Sequence, residues 1–357
     1  MSATMLLPQS LPGPGFVLPA DREASEPPEA RNVPRDGVRL LISDGLCLEH
    51  VRFRHLPRFL RAGDLLVLNT SATLPAAVDA RRQDGRDVVV HFSTRLEAGS
   101  WAVELRPPGR ATGPARDGRR GERVTLPGGI ALTLEEPYPD SELERPRLWR
   151  AHVTPPTDVP ALLARYGRPI AYAYVGERWP LSAYQTVFAR EPGSAEMPSA
   201  GRPFTQRLVT QLVARGVGFA PLVLHTGVSS LEAGEAPLPE RFRVPLSTAA
   251  RVMAARAEGG RIIAVGTTAA RALESATDAP GAVRAAEGWT ELVLGPDRPA
   301  RVLDGIITGW HAPGASHLAL LEAVAGAETV ARAYEEALAR HYLWHEFGDS
   351  CLLLRAP

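Results

Sequence analysis

The chain has 357 residues, a length that suggests about two domains at roughly 150 residues each. Its 45% hydrophobic content can build a sizeable core, and its 22% charged content is that of a globular protein. The 40 basic and 40 acidic residues cancel, which excludes the global positive field of a histone-like binder.

The N-terminus, MSATMLLPQSLPGPG, lacks a basic n-region and a continuous apolar h-region, so it does not read as a signal peptide. No run approaches the ~18 apolar residues of a membrane span. Residues 1–37 are rich in Pro, Glu and Arg without a clean period and read as an arm laid over the surface. Two apolar-rich runs, 38–42 and 46–53, flank Asp44-Gly45, the kind of pair that closes a tight hairpin. A third strand is expected over 64–69 (DLLVLN), buried on both faces.

From about Leu74 to Val153 short strand-like runs follow one another: AAVDARR, DVVVHFS, WAVELR, RVTL, IALTLEE and RLWRAHV. Turn signals separate them, so a small all-β barrel or sandwich is expected over 74–154. Within it the stretch RPPGRATGPARDGRRGER carries Arg106, Arg110, Arg116, Arg119, Arg120 and Arg123 among glycines and prolines. It reads either as a solvated hairpin tip or as a flexible phosphate contact.

After residue 155 helices alternate with strands. Helices are expected over 204–215, 247–258, from Thr267, from Ser316 and from Glu328, and strands at APLVLHTG, IIAVG, RVLDGIITGW and FGDSCLLL. The expected fold class is therefore α/β. A β domain at 74–154 interrupts a discontinuous domain made of 1–73 and 155–357.

All the basic residues are arginine. Without lysine the chain cannot form a Schiff base with a carbonyl substrate or carry the lysine of a P-loop or protein kinase. Cys47 and Cys351 are too far apart for a local metal motif and fit a reducing cytoplasm. His341 and His345 have i, i+4 spacing, but no third ligand is evident, so no metal site is expected.

Four stretches could carry chemistry. In GGRIIAVGTTAARALES a buried strand ends at Gly266, and Thr267-Thr268 open a helix bearing Arg271 and Glu274. Free N–H groups at such a start bind a carboxylate or phosphate, unless a threonine simply caps the helix. The loop from Tyr184 to Thr205 concentrates small residues where backbone can approach a ligand. His225 and His311 each follow an apolar strand, where α/β folds commonly bind ligands, and each is a candidate for proton transfer or for a structural role.

Together RAGDLLVLN, YQTVFAREPG, PSAGRPFT, LHTG, GGRIIAVGTTAARALES, GWTELVL, TGWHAPGAS and the late FGD resemble, in order, the S-adenosylmethionine:tRNA ribosyltransferase-isomerase family of queuosine biosynthesis. The resemblance runs from Arg39 to Asp349. It implies a large barrel-type α/β domain with a small β-barrel inserted. It also implies transfer of the ribosyl part of S-adenosylmethionine to the aminomethyl group of a 7-deazaguanine in tRNA. The ring then rearranges to an epoxycyclopentane, with release of adenine and methionine. S-adenosylmethionine is a co-substrate, and no metal or redox cofactor is implied. The sulfonium acidifies the adjacent carbon, so a neutral histidine or the acceptor's own amine could take the first proton.

On this resemblance the donor cleft is expected from Tyr184, Gln185, Thr186, Ser199, Ala200, Gly201, Phe204, Thr205, Gly266, Thr267, Thr268, Arg271 and Glu274, with His225 and His311 catalytic. The pattern also departs from the family. Asp-Thr-Arg after Asn69 is here Thr70-Ser71-Ala72, and Pro-Ala-Arg ends in Ala77. Leu-His is replaced by Arg202-Pro203, and His-Lys-Met-His by residues 235–238, from Glu235 to Leu238. Gly309 and Gly314 stand where the family has asparagine and lysine. These replacements leave two rival readings: the same donor chemistry on a small-molecule acceptor, or a non-catalytic nucleoside-binding homologue.

Overall fold

The computed structural model describes residues 15–45, 47–109, 113–228, 237–279 and 281–356, so Arg110 and Glu235 lie outside the described residues. The chain groups into two compact units. One comprises Met1–Asn69, Ser199–Val223 and Ser230–Pro357, and the other Thr70–Pro198 with Leu224–Ser229.

The first unit is built on a nine-stranded mixed sheet. From one edge to the other its strands are Ala286–Thr290, Glu240–Val244, Gly218–His225, Leu65–Asn69, Ile262–Val265, Gly305–Gly309, Ser350–Leu354, Arg39–Ser43 and Leu48–Arg52. The four strands from Gly218–His225 to Gly305–Gly309 run parallel. Leu65–Asn69 and Ile262–Val265 are buried along their whole length, as a parallel strand covered on both faces must be. The expected hairpin is present, with Arg39–Ser43 antiparallel to Leu48–Arg52.

Helices Gln206–Ala214, Leu246–Ala257, Thr267–Ser275, Ser316–Ala325 and Ala327–Ala339 form where the 3.6-residue pattern places them. The N-terminal arm is tied down from Phe16 onward: its ring packs on Tyr334 at 5.4 Å, and Ala24 donates its N–H to the Trp344 carbonyl. No helix among the described residues is long and apolar enough to cross a membrane.

The second unit contains a closed antiparallel barrel of Leu148–Thr154, Trp101–Arg106, Asp87–Arg95, Ala77–Arg82, Arg123–Thr125 and Ala131–Tyr138. All six runs read as strands from the sequence are strands of this barrel. Cross-strand partners Val78, Val90 and Leu105 are fully buried on one face. The opposite face is also largely covered: Ala77, His91, Glu104 and Arg106 are buried as well.

This unit extends past the expected boundary at 154, taking in 155–198 and 224–229. Two pairings account for the difference. Ala77 and Arg168 exchange backbone hydrogen bonds of 2.9 Å, and Glu191–Ser194 pairs in parallel with Ser71–Thr73.

Candidate active site

In the first unit the parallel strands bring Asn69, Gly266 and Gly309 to one carboxyl edge, since Leu68 pairs with Val265 and Val265 with Ile307. Ligands of open α/β sheets bind at this edge. Gly266 has φ 95°, a left-handed value that disfavours any side chain, and a Cβ there would stand 3.2 Å from the Ala200 methyl. It is the N-cap of Thr267–Ser275, and no side chain caps that helix. The threonine-capping alternative is therefore not the one adopted, and the first-turn N–H groups keep their capacity for an anion. Asn69 Nδ2 donates to Thr268 Oγ1 at 3.3 Å, which steadies the hydroxyl beside this helix start.

Other expected donor residues of this unit serve the framework. Arg271 is 5% exposed and gives four hydrogen bonds: to the carbonyls of Leu238, Thr290 and Leu292 and to the Glu240 carboxylate at 2.7 Å. With four of five N–H donors spent on protein, it pins two chain segments against the helix. Glu274 accepts the N–H groups of Arg301 and Val302. Phe204 is fully buried edge-on to Phe53, and Thr205 caps Gln206–Ala214 by accepting from Leu208. The carbonyls of Ser199 and Gly201 accept from the N–H groups of Arg202 and Phe204, which closes the short turn carrying Ala200.

One of the replaced positions is explained here. Arg202 pairs with Glu29 at 2.9 Å and lies over the Phe347 ring, so its charge is committed inside the protein. Ser199, Arg202, Pro203, Gly309 and Asp349 line a cavity of only about 10 Å³, room for one water at most.

His311 follows the strand Gly305–Gly309. Its Nε2 is 3.0 Å from Thr308 Oγ1, its ring stacks on His317 at 4.5 Å, and its carbonyl accepts the Trp344 indole N–H. Burial first, and then the neighbouring His317, holds the His311 imidazole well below its ordinary pKa. Burial and the charge of Arg271 bring His317 down to about 4. Both rings are neutral near pH 7, and a neutral imidazole can accept a proton.

In the second unit His225 is fixed by a chain of hydroxyls. Ser71 Oγ is 2.8 Å from His225 Nδ1 and 2.6 Å from Ser194 Oγ, which accepts the Thr226 N–H at 3.0 Å. Gly193 leaves space for the ring, because a Cβ there would collide with His225 Nδ1 at 2.3 Å. Gln185 bonds both backbone groups of Thr73, and Thr73 Oγ1 donates to the Tyr184 carbonyl. Thr186 closes a turn by accepting from Phe188. Tyr184, Gln185 and Thr186 thus hold the strand Ser71–Thr73, whose first residue orients His225. Ser71, Ser194 and Gly193 do not stand out in the sequence as site residues. Gly193 carries the only local signal, a glycine ending YQTVFAREPG.

Among the arginines of the barrel, Arg106 is 7% exposed and bonds Glu104 at 2.9 Å, so it is not part of an exposed basic loop. Arg116, Arg119, Arg120 and Arg123 are exposed, while Asp117 and Glu122 between them are both bound by Arg82.

Comparison with known proteins agrees with this architecture. A family profile described as queuosine biosynthesis protein matches residues 15–353. The S-adenosylmethionine:tRNA ribosyltransferase-isomerase of Symbiobacterium thermophilum is 34% identical over 364 residues, spanning 95% of this chain and 98% of its own length. That of Moorella thermoacetica is 35% identical over 352 residues, spanning 95% and 98%. The crystal structure of S-adenosylmethionine tRNA ribosyltransferase from Thermotoga maritima is 28% identical and covers 95% of this chain and 99% of its own, with a TM-score of 0.52. Matched over nearly its whole length in sequence and in fold, the chain belongs to the S-adenosylmethionine:tRNA ribosyltransferase-isomerase family of queuosine biosynthesis.

Proposed function

We propose that this protein transfers the ribosyl moiety of S-adenosylmethionine to the 7-aminomethyl-7-deazaguanine base of a tRNA. The product is epoxyqueuosine, and adenine and methionine leave. The full-length match to relatives bearing that activity carries the reading. On this reading tRNA and S-adenosylmethionine are the substrates and the cytoplasm is the working compartment.

The uncapped start of Thr267–Ser275, with Gly266 and Thr268, receives an anionic group of the donor, for which the methionine carboxylate is the natural candidate. Arg271 and Glu274 position that helix and the segments around it. His311, at the carboxyl end of the strand Gly305–Gly309 and 3.0 Å from the Thr308 hydroxyl, is the proton acceptor of the donor unit.

His225 is the second imidazole. When its Nδ1–H donates to Ser71 Oγ and the Ser71 hydroxyl donates to Ser194, the lone pair falls on Nε2. A tautomer fixed in this way suits a base that moves the proton of the incoming amine. The exposed Arg116, Arg119, Arg120 and Arg123 are the phosphate contacts.

The test is direct. S-adenosylmethionine is incubated with the protein, with and without tRNA carrying the aminomethyl base, and adenine and methionine are quantified. Release that depends on tRNA supports the reading. Release with a small deazapurine amine alone supports the small-molecule rival, and binding without release supports the non-catalytic one.

A further inference from the structure

The outer face of the barrel carries polar chemistry that the donor reaction does not use. His91, Glu104 and Arg106 lie on adjacent strands, with His91 opposite Glu104 in register, and all three are buried. Glu104 accepts from both Arg106 and Arg147 at 2.9 Å. The segment 168–184 of the same unit lies beside this face and encloses a cavity of about 290 Å³. That volume is at the low end for a small-ligand pocket, which runs from roughly 300 Å³ upward.

The lining has a definite character. Of its charged side chains, Arg106, Arg168 and Arg178 are cationic and Glu177 is anionic. Arg106 is bonded to Glu104 and Arg168 to Asp79 at 2.6 Å, whereas Arg178 is exposed and makes no ion pair among the described residues, so its charge is the one open to a ligand. Trp179 and Tyr172 supply flat aromatic faces. The Trp179 indole N–H is shielded from solvent with no acceptor among the described residues. A buried donor without an acceptor costs about 1–3 kcal/mol, so a pocket that keeps one is suited to a ligand that brings a carbonyl or ring nitrogen.

An open guanidinium, a stacking surface and an unsatisfied N–H are together what a single unpaired nucleotide requires. We propose that this cavity takes one nucleotide of the tRNA substrate other than the modified base. The base stacks on Trp179 and accepts from its N–H, and the phosphate lies against Arg178. The inference rests on the tRNA reading above and adds to it a second point of contact.

The experiment uses the full chain and three variants. Arg178→Glu reverses an exposed charge, Trp179→Phe keeps the ring but removes the N–H, and Trp179→Ala removes both. The tRNA affinity is measured across a salt series, with S-adenosylmethionine affinity and thermal melting alongside. A pyrimidine nucleoside monophosphate, which cannot mimic the donor's adenine, is titrated while tryptophan fluorescence is followed. R178E and W179A are each expected to weaken tRNA binding about tenfold, with W179F between them and wild type, and donor affinity unchanged. R178E is also expected to flatten the salt slope by about one unit, and W179F to abolish the nucleotide-induced quenching.

If wild type releases adenine with tRNA while R178E and W179A bind tRNA as tightly as wild type, the pocket is overturned and the functional reading stands. If wild type neither binds tRNA nor turns over with it, the functional reading falls and this inference with it. R178E guards against misfolding as the explanation, because the side chain it alters is on the surface.

Discussion

Gly193 and His225 are packed so closely that a methyl group on Gly193 would stand 2.3 Å from Nδ1 of the imidazole. The histidine is thus seated on bare backbone, with the hydroxyls of Ser71 and Ser194 along its edge. A ring held this way has one orientation and one preferred tautomer, which is what proton transfer at its other nitrogen needs.

Gly193→Ala therefore displaces the ring, while Ser71→Ala leaves it in place without its hydrogen bond. Ser71→Ala is expected to lower the turnover number roughly tenfold, the value of one positioning hydrogen bond, with the S-adenosylmethionine KM little changed. Ser71→Thr, which keeps the hydroxyl, restores most of the rate. His225→Asn is expected to cost about a hundredfold or more. Adenine release under saturating tRNA measures all of these. Full activity in the His225 variant would remove it from the chemistry and leave His311 as the proton acceptor.

His317 gives a pH signature of folding. Its imidazole sits at about 4 in the folded protein against an ordinary value of 6.5. The unfolded chain therefore binds the extra proton first, and stability falls as pH drops from 6.5 towards 4. The decrease over that window is about 3 kcal/mol. Denaturant melts between about pH 7 and pH 4 should show the fall, and His317→Gln should make it shallower. An unchanged slope in the variant would mean that the stacked pair with His311 does not titrate as described.

Glu104 acts in a lower window. Burial opposes its ionisation, but the nearby His91 and the hydrogen-bonded guanidinium groups of Arg147 and Arg106 outweigh it and hold the carboxyl at about 2. Its stabilisation is complete above its ordinary value of 4.5 and disappears as pH falls towards 2. Glu104→Gln leaves two buried guanidinium groups without their counter-charge. That should destabilise the second unit by about 3–5 kcal/mol at neutral pH. A melt within about 1 kcal/mol of wild type, on the order of the scatter between surface variants, would show the cluster to be hydrated instead.

The strands and helices are legible in the sequence because burial leaves a plain pattern. LLVL within DLLVLN and IIAV are continuous apolar runs and form the centre of the parallel sheet, and each barrel run forms a barrel strand. The functional roles are less legible, because a motif gives a residue's position but not its partners. Arg271 sits in GGRIIAVGTTAARALES like a ligand-binding arginine, yet its bonds go to three carbonyls and Glu240. Arg106 reads with the basic loop because it precedes two prolines, yet strand alternation places it beside Glu104 on a covered face. The hydroxyl of Ser71 is invisible as a feature, since its partners His225 and Ser194 are 154 and 123 residues away. Long-range contacts of that kind leave no local periodicity to read.

The basic tip of the barrel offers the last test, and it bears on both the domain boundaries and the tRNA. We propose that 74–154 is an insertion in a domain made of 1–73 and 155–357, with the tip around 109–121 as its most accessible segment. Trypsin cuts after arginine, the only basic residue here besides histidine, so every exposed tip arginine is a cleavage site. Brief digestion should nick at Arg116, Arg119 or Arg120, all exposed, before either junction. First cleavage at Arg61 or Arg165 would put the boundary elsewhere. The same residues should matter for RNA, because Arg82 and Arg86 already occupy the acids around them: Arg82 binds Asp117 and Glu122, and Arg86 binds Asp117. Those two acids are thereby engaged by arginines outside the tip. Neutralising Arg116, Arg119 and Arg120 together should weaken tRNA binding and flatten its salt dependence by roughly one unit for each phosphate that is no longer paired. S-adenosylmethionine affinity should not move, since the proposed donor cradle lies at Gly266–Thr268 in the other unit. A triple variant that binds tRNA as well as wild type would reduce the tip to a solvated hairpin and leave phosphate recognition to other arginines.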